Sequence, residues 1–197
     1  MLLAFILLCS VTSVRGAVGT TSTVEDIVDS CYNYLESHLC EGEKWGHKYH
    51  FYKPSIDKYS SDQWLWDSGA HMIVWSHKNV SNSILDLRTM LKMQQDNGRI
   101  PEEIFWMDRD AKQTAAILAE YSSPKFSDTT QMPVLPYSLR AIYQESKSKR
   151  VLKEFLYPLI DYFVSDFVHY CLFCDCLNMY SFHAASSCFI VYLRVLM

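Results

Sequence analysis

Apolar residues recur at helical spacing along most of this chain and strand-like alternation persists nowhere, so the expected fold is all-α. Ser22-Thr23-Val24-Glu25 reads as a capping box, followed by the stripe Val24, Ile27, Val28, Cys31, Leu35 and Leu39. A Trp-rich helix runs to about His77. A further helix is expected over Asn82 to Gln95, with Ile84, Leu87 and Leu91 on one face and Gly98 just past its end. Thr114 to Ala119 predicts a short helical turn, and Tyr137 to Gln144 a helix. Ser148 to Tyr162 predicts an amphipathic helix carrying Val151, Leu152, Phe155 and Leu159. Glu41 to Ser61, Gly98 to Trp106 and Ser122 to Pro136 read as long loops, punctuated by Pro54, Gly98, Pro101 and Pro133.

Length allows one domain or part of a larger one, and a formal net charge of -4 without a long basic run argues against nucleic-acid binding. The first sixteen residues, MLLAFILLCSVTSVRG, read as a secretory signal peptide cleaved after Gly16. A secreted or secretory-lumen protein is therefore expected, with Asn79-Val80-Ser81 as a glycan acceptor. Cys9 leaves with the leader and six of the seven cysteines remain. Cys31 and Cys40 lie about 13 Å apart if one helix spans both, beyond the roughly 7 Å reach of a disulfide. They can pair only if that helix ends before Cys40, so the connectivity stays open.

From Phe163 to Met197 the chain changes character, becoming poor in charge and rich in cysteine. Cys171, Cys174, Cys176 and His183 are zinc-type residues, but a second C-x2-C is lacking, and buried or incidental cysteines are expected instead of a metal site. Cys176 to Leu193 is free of formal charge and marginally long for a membrane span at roughly 18 residues. Asn178, His183 and three serines dilute it, which argues against a membrane anchor.

YSSDQWLWDSGAH, Tyr59 to His71, carries the chemistry. On a helix, Trp66, Ala70, Ile73 and His77 form one stripe, read as core. Trp64, Asp67, Ser68 and His71 form another, an aromatic platform beside a carboxylate and an imidazole, as a sugar ring requires. Core packing alone would also account for an aromatic-rich helix. Glu102 and Glu103 are adjacent, point apart and read as solvated loop carboxylates. Nucleophile-elbow, phosphate-loop and zinc-protease motifs are missing from the sequence.

YSSDQWLWDSGAHMIVW, LRTMLKMQQDNGRIPEEIFW and TQMPVLPYSLRAIY, in that order, resemble the (α/α)6-barrel glycosidases of glycoside hydrolase family 63, of the mannosylglycerate and glucosylglycerate hydrolase type. The resemblance runs from about Pro54 to Tyr162. It implies a partial (α/α)6 toroid over residues 17–162, with 163–197 unmatched. It also implies that Trp64 lines the pocket of the terminal sugar, that Asp67 accepts its hydroxyl hydrogens and that Gln131 reaches the same sugar from the loop before its helix. Tyr59 resembles a pocket tyrosine, offset by one residue from the family's spacing. The substrate implied is a small α-glycoside, with no cofactor.

Such enzymes invert the anomeric centre with one carboxylic acid and one carboxylate. In the family, the acid lies in a Gly-Asp-Asn-rich segment well beyond the Q-x-P block and the base later still, and neither motif occurs here. The expectation is a truncated, inactive glycosidase whose tail is read-through peptide. The competing expectation is a non-catalytic carbohydrate-binding protein, secreted or tail-anchored.

Overall fold

The computed structural model describes residues 23–55 and 61–173. Residues 1–22, Tyr59 and residues 174–197 fall outside the described residues, as do the expectations attached to them. Two compact units divide at His38/Leu39.

The first unit contains α1 (Val24–Glu36). Its capping box lies one residue later than expected: Thr23 Oγ1 accepts the Asp26 N–H at 3.2 Å, and the Asp26 carboxylate accepts the Thr23 N–H at 2.8 Å. The Thr23 N–H, with the Thr23 hydroxyl donating to the same carboxylate at 3.0 Å, holds Asp26 below the usual carboxylate range. The helix stops at Glu36, so Leu39 and Cys40 belong to a strand and not to its apolar stripe.

The second unit opens with a β-hairpin, β1 (Leu39–Lys44) and β2 (His47–Tyr52), paired from Leu39 with Tyr52 to Lys44 with His47. This corrects the long loop expected from Glu41 and the absence of strands. The signal was hidden because β2 buries His50, Phe51 and Tyr52 in succession, leaving no alternation to read. Trp45 and Gly46 make the turn with φ of 52° and 78°, the two positive values that a type I′ hairpin turn demands. The His50 N–H donates to Thr89 Oγ1 at 3.0 Å, fastening the hairpin to the helix that carries Thr89.

Among the described residues, five further helices and a small second sheet belong to this unit. Strands β3 (Gln63–Trp64) and β4 (Glu103–Ile104) pair antiparallel. The helices α2 (Leu65–Ser76) and α3 (Val80–Leu91) pack together across the short His77–Asn79 connection. The helix α4 (Ala111–Glu120) is longer than the expected turn because Asp110 and Gln113 form a capping box ahead of it. The helices α5 (Leu135–Ser146) and α6 (Lys149–Phe173) follow, the latter continuing beyond the expected end at Tyr162. Leu65, Met72, Leu87, Leu135, Ile142 and Phe155 meet in one buried core.

The buried face of α2 is not the stripe read as core. Trp66 and His77 are exposed, whereas Leu65, Ser68, Gly69, Met72, Trp75 and Ser76 are buried. On that face the small residues Ser68, Gly69 and Ser76 stand between Leu65, Met72 and Trp75, and neighbouring helices reach the backbone there. Ser138 of α5 donates to the Gly69 carbonyl at 2.8 Å, and Ser83 of α3 donates to the Met72 carbonyl at 2.7 Å. Gly98, after α3, has φ 88°, and a Cβ there would lie 2.4 Å from the Asp161 carbonyl oxygen of α6. No helix among the described residues is long and apolar enough to cross a membrane.

Candidate functional site

Three segments far apart in sequence are tied together by main-chain hydrogen bonds at the start of α2. Gln63 pairs with Ile104 and Trp64 with Glu103, and the Leu65 N–H then donates to the Glu102 carbonyl at 2.9 Å. On the other side of β4, residues 125–129 run as an irregular third strand. The Phe105 N–H donates to Lys125 O, the Ser127 N–H to Glu103 O and the Glu102 N–H to Thr129 O, at 2.9 to 3.0 Å. Gln131 comes two residues later. The three blocks that carry the family resemblance therefore converge on one junction.

Trp64 is the extended residue immediately before α2 (φ -105°, ψ 134°), and Asp67 lies in the helix's first turn. Both are half-buried. The Trp64 indole Nε1 is shielded from solvent and has no hydrogen-bond partner among the described residues. Burial raises Asp67 above the usual carboxylate range, and its own main-chain N–H opposes the shift.

Gln131 is held from three directions. Its side-chain oxygen accepts the Trp66 N–H at 2.8 Å, and its Nε2 donates to Glu102 Oε1 at 3.1 Å. Its main-chain carbonyl accepts the Tyr162 hydroxyl of α6 at 2.8 Å. A backbone N–H can only donate and an ionised carboxylate can only accept, so the two side-chain partners fix which end of the amide faces which way.

Beneath Trp64 the support is buried and polar. Gln63 Nε2 donates to Asp86 at 2.8 Å while Gln63 Oε1 accepts the Trp106 indole N–H at 2.8 Å. Complete burial pushes Asp86 well above the usual range, against hydrogen bonding from Gln63, Ser68 and the Tyr52 backbone. It closes a buried chain running from the Trp106 indole through the Gln63 amide. The buried Asp62 accepts the Met107 N–H at 3.1 Å and pairs with Arg109. Glu103, half-buried on β4, is raised to about 7 by burial first and by the Asp62 charge second.

The structure thus brings Trp64, Asp67 and Gln131 to the same turn. Of the residues grouped with Asp67 by helical spacing, Ser68 is buried, and His71 lies with Nδ1 3.2 Å from the Tyr52 carbonyl. Asn79 is exposed and caps α3, its side-chain oxygen accepting the Ser81 N–H at 3.2 Å. Sequence reasoning missed Glu102. Glu102 and Glu103 do point apart, but neither is simply solvated: Glu102 binds Gln131 and Thr129, and Glu103 is half-buried. Strand character at β4 was the missing signal, and two residues of strand leave no periodicity to read.

Residues 59–165 match the family model of the mannosylglycerate hydrolase MGH1-like glycoside hydrolase domain. A comparison with curated proteins gives no match. Among solved structures the chain is similar to the GH63 mannosylglycerate hydrolase of Thermus thermophilus. Against its crystal structure with Tris the TM-score is 0.52 at 19% identity, covering 69% of this chain and 32% of that one. Against the structure with Tris and D-glycerate it is 0.52 at 18% identity, covering 66% and 30%. The chain spans about a third of the length of those relatives. At that identity the likeness is one of fold, a part of the helical glycosidase toroid. The family match covers more than half of the chain and takes in the whole junction, and the chain belongs to the mannosylglycerate hydrolase MGH1-like glycoside hydrolase family.

Proposed function

We propose that this chain carries the sugar-binding part of a GH63-like inverting hydrolase of small α-glycosides, of the mannosylglycerate, glucosylglycerate or trehalose kind. The observation that carries the reading is the convergence of Trp64, Asp67 and Gln131 on one half-buried turn. Trp64 provides the apolar wall, Asp67 accepts sugar hydroxyls and Gln131 adds a donor. The resemblance adds Tyr59, which lies outside the described residues. Asp67 is a binding carboxylate: inversion requires an acid that protonates the leaving oxygen and a second carboxylate that activates water, and one group cannot serve both. Those two carboxylates belong to family segments beyond the residues matched here. The residues matched here are assigned to binding the sugar, and the two catalytic roles to other carboxylates. Entry into the secretory pathway and a glycan on Asn79 belong to the same proposal.

Calorimetric titration with mannosylglycerate, glucosylglycerate and trehalose tests it. At least one should bind, and Asp67→Ala should weaken binding by about 1 to 3 kcal/mol, the scale of a hydrogen bond to a charged group. Unchanged affinity in that variant, or no binding of any of the three, removes the assignment. Hydrolysis by this chain alone would refute the division between binding and catalysis.

A further inference from the structure

We propose that Glu102 is a positioning residue that locks the Gln131 amide so that a single N–H remains open to a ligand. The inference rests on the sugar-binding reading above and adds to it the hydrogen-bonding polarity of the site.

An amide side chain offers two donor hydrogens and an acceptor oxygen. At Gln131 the oxygen is taken by the Trp66 N–H at 2.8 Å and one Nε2 hydrogen by Glu102 Oε1 at 3.1 Å. Glu102 is itself fixed. Its second oxygen accepts the Thr129 hydroxyl at 2.7 Å, its N–H donates to Thr129 O, and its carbonyl accepts the Leu65 N–H. The Gln131 main chain cannot drift, because Tyr162 donates to its carbonyl at 2.8 Å, and the neighbouring Thr130 hydroxyl donates to Ile100 O at 2.7 Å. What remains at the Nε2 end is one hydrogen, beside the oxygen's second lone pair. The lock therefore leaves Gln131 a single N–H to donate, and a ligand must present an oxygen lone pair to it. Asp67, one residue along from the Trp66 N–H, takes the opposite role of acceptor. Without Glu102 the amide would rotate, and ordering it again on binding would draw on the binding energy.

Replacing Glu102 by Gln keeps an acceptor toward Gln131 Nε2 and a group that can bond Thr129. Replacing it by Leu keeps bulk and removes both bonds. Thr129→Val, at an exposed position, loosens Glu102 without touching Gln131.

The test joins two measurements on the full chain. In the ligand-free protein, NMR of the Gln131 side-chain amide, assigned through Gln131→Glu, should show one Nε2 proton exchanging with solvent more slowly than the other. That difference should vanish in Glu102→Leu, shrink in Thr129→Val and survive in Glu102→Gln. Mannosylglycerate titration should then show binding about three- to tenfold weaker in Glu102→Leu, the cost of ordering one free side chain, and near wild type in Glu102→Gln. Unaltered Gln131 exchange in both Glu102→Leu and Thr129→Val overturns the lock. Equal weakening of binding by Leu and Gln, with the amide still locked in the Gln variant, overturns orientation as the cause. If the amide responds as described while wild type binds no sugar, the lock stands and the sugar-binding reading falls.

Discussion

Gly69→Ala tests whether the close approach of α2 and α5 holds the site. A Cβ at Gly69 would lie 2.3 and 3.0 Å from the two Val134 methyls and 3.2 Å from its Cβ. Carbon atoms at rest stay about 3.5 to 4.0 Å apart, so Val134 would have to retreat by roughly 1.2 Å. Rotating the valine relieves the clash only in part, because its Cβ lies at 3.2 Å whatever the rotamer and β-branching restricts χ1. The segment is also stiff, buried at Val134 and framed by Pro133 and Pro136. Against this, Ala is a better helix former than Gly by about 1 kcal/mol. Overpacking costs about 1 to 3 kcal/mol, and a retreat of that size also stretches the 2.8 Å bond from Trp66 to Gln131, worth about 1 kcal/mol. Clash outweighs propensity, and the net expectation is a loss of about 1 to 3 kcal/mol. Adding Val134→Ala should reverse the sign. The new methyl then occupies the space the valine vacates, the helix gain emerges, and the coupling energy should reach about 2 kcal/mol, typical of packed neighbours. Urea unfolding followed by tryptophan fluorescence measures all four corners of the cycle. Additive single effects, or a Gly69→Ala protein as stable as wild type, would refute the close approach.

Two further expectations follow from the buried carboxyls. Glu103 is raised from its ordinary 4.5 to about 7, so the folded state holds its proton more tightly than the unfolded chain. Its contribution to stability is complete below about pH 4.5 and fades as pH rises toward 7; Glu103→Gln should flatten the stability profile across that window, measured by urea midpoints from pH 4 to 8. Asp86 obeys the same sign, with its contribution present below the unfolded value of 3.8 and lost as pH rises toward its much higher folded value. Asp86→Asn keeps an acceptor for Gln63 and should therefore gain on wild type at pH 8 more than at pH 4. Asp86→Leu strands the buried Gln63 Nε2 and should cost about 1 to 3 kcal/mol at either pH.

Helices whose apolar stripe packs on a single core were legible in the sequence. The stripe Val151, Leu152, Phe155 and Leu159 lies on α6, where Phe155 and Leu159 are fully buried and Val151 and Leu152 pack against the core. Helix α2 shows why that logic fails when helices touch backbone to backbone. Its inner face sets Ser68, Gly69 and Ser76 between Leu65, Met72 and Trp75, α3 and α5 reach its backbone there, and Trp66 is turned outward. Apolar periodicity ranks residues by their affinity for oil, whereas a close helix crossing ranks them by size. The hairpin was illegible for a related reason. His50 is buried at a strand position where alternation calls for an exposed residue, with its ring paired to Glu41 at 2.7 Å and its N–H bonded to Thr89.

Residues of the candidate site could be named from the sequence, but its construction could not. Asp67 came from helical spacing and again through the resemblance, and Gln131 through the resemblance alone; nothing in either motif says what surrounds them, because Gln131 is oriented by a main-chain N–H and a glutamate. The Trp66 N–H has no sequence signature at all. Glu102 carries one that misleads, since two neighbouring carboxylates in a Pro- and Gly-marked segment look solvated. They are not, because the segment is hydrogen-bonded on both sides, to β3 and to residues 125–129. Glu102 directly precedes β4, its N–H bonded to Thr129 O and its carbonyl to the Leu65 N–H. Its side chain is turned to Gln131 and Thr129, while Glu103 on β4 is left half-buried, raised by its burial and by the Asp62 charge. The two adjacent glutamates differ in role because their side chains point apart. Exchanging their environments by a one-residue slip of β4 would place the wrong carboxyl on Gln131, so the register of this short pair specifies the site as firmly as any motif residue does.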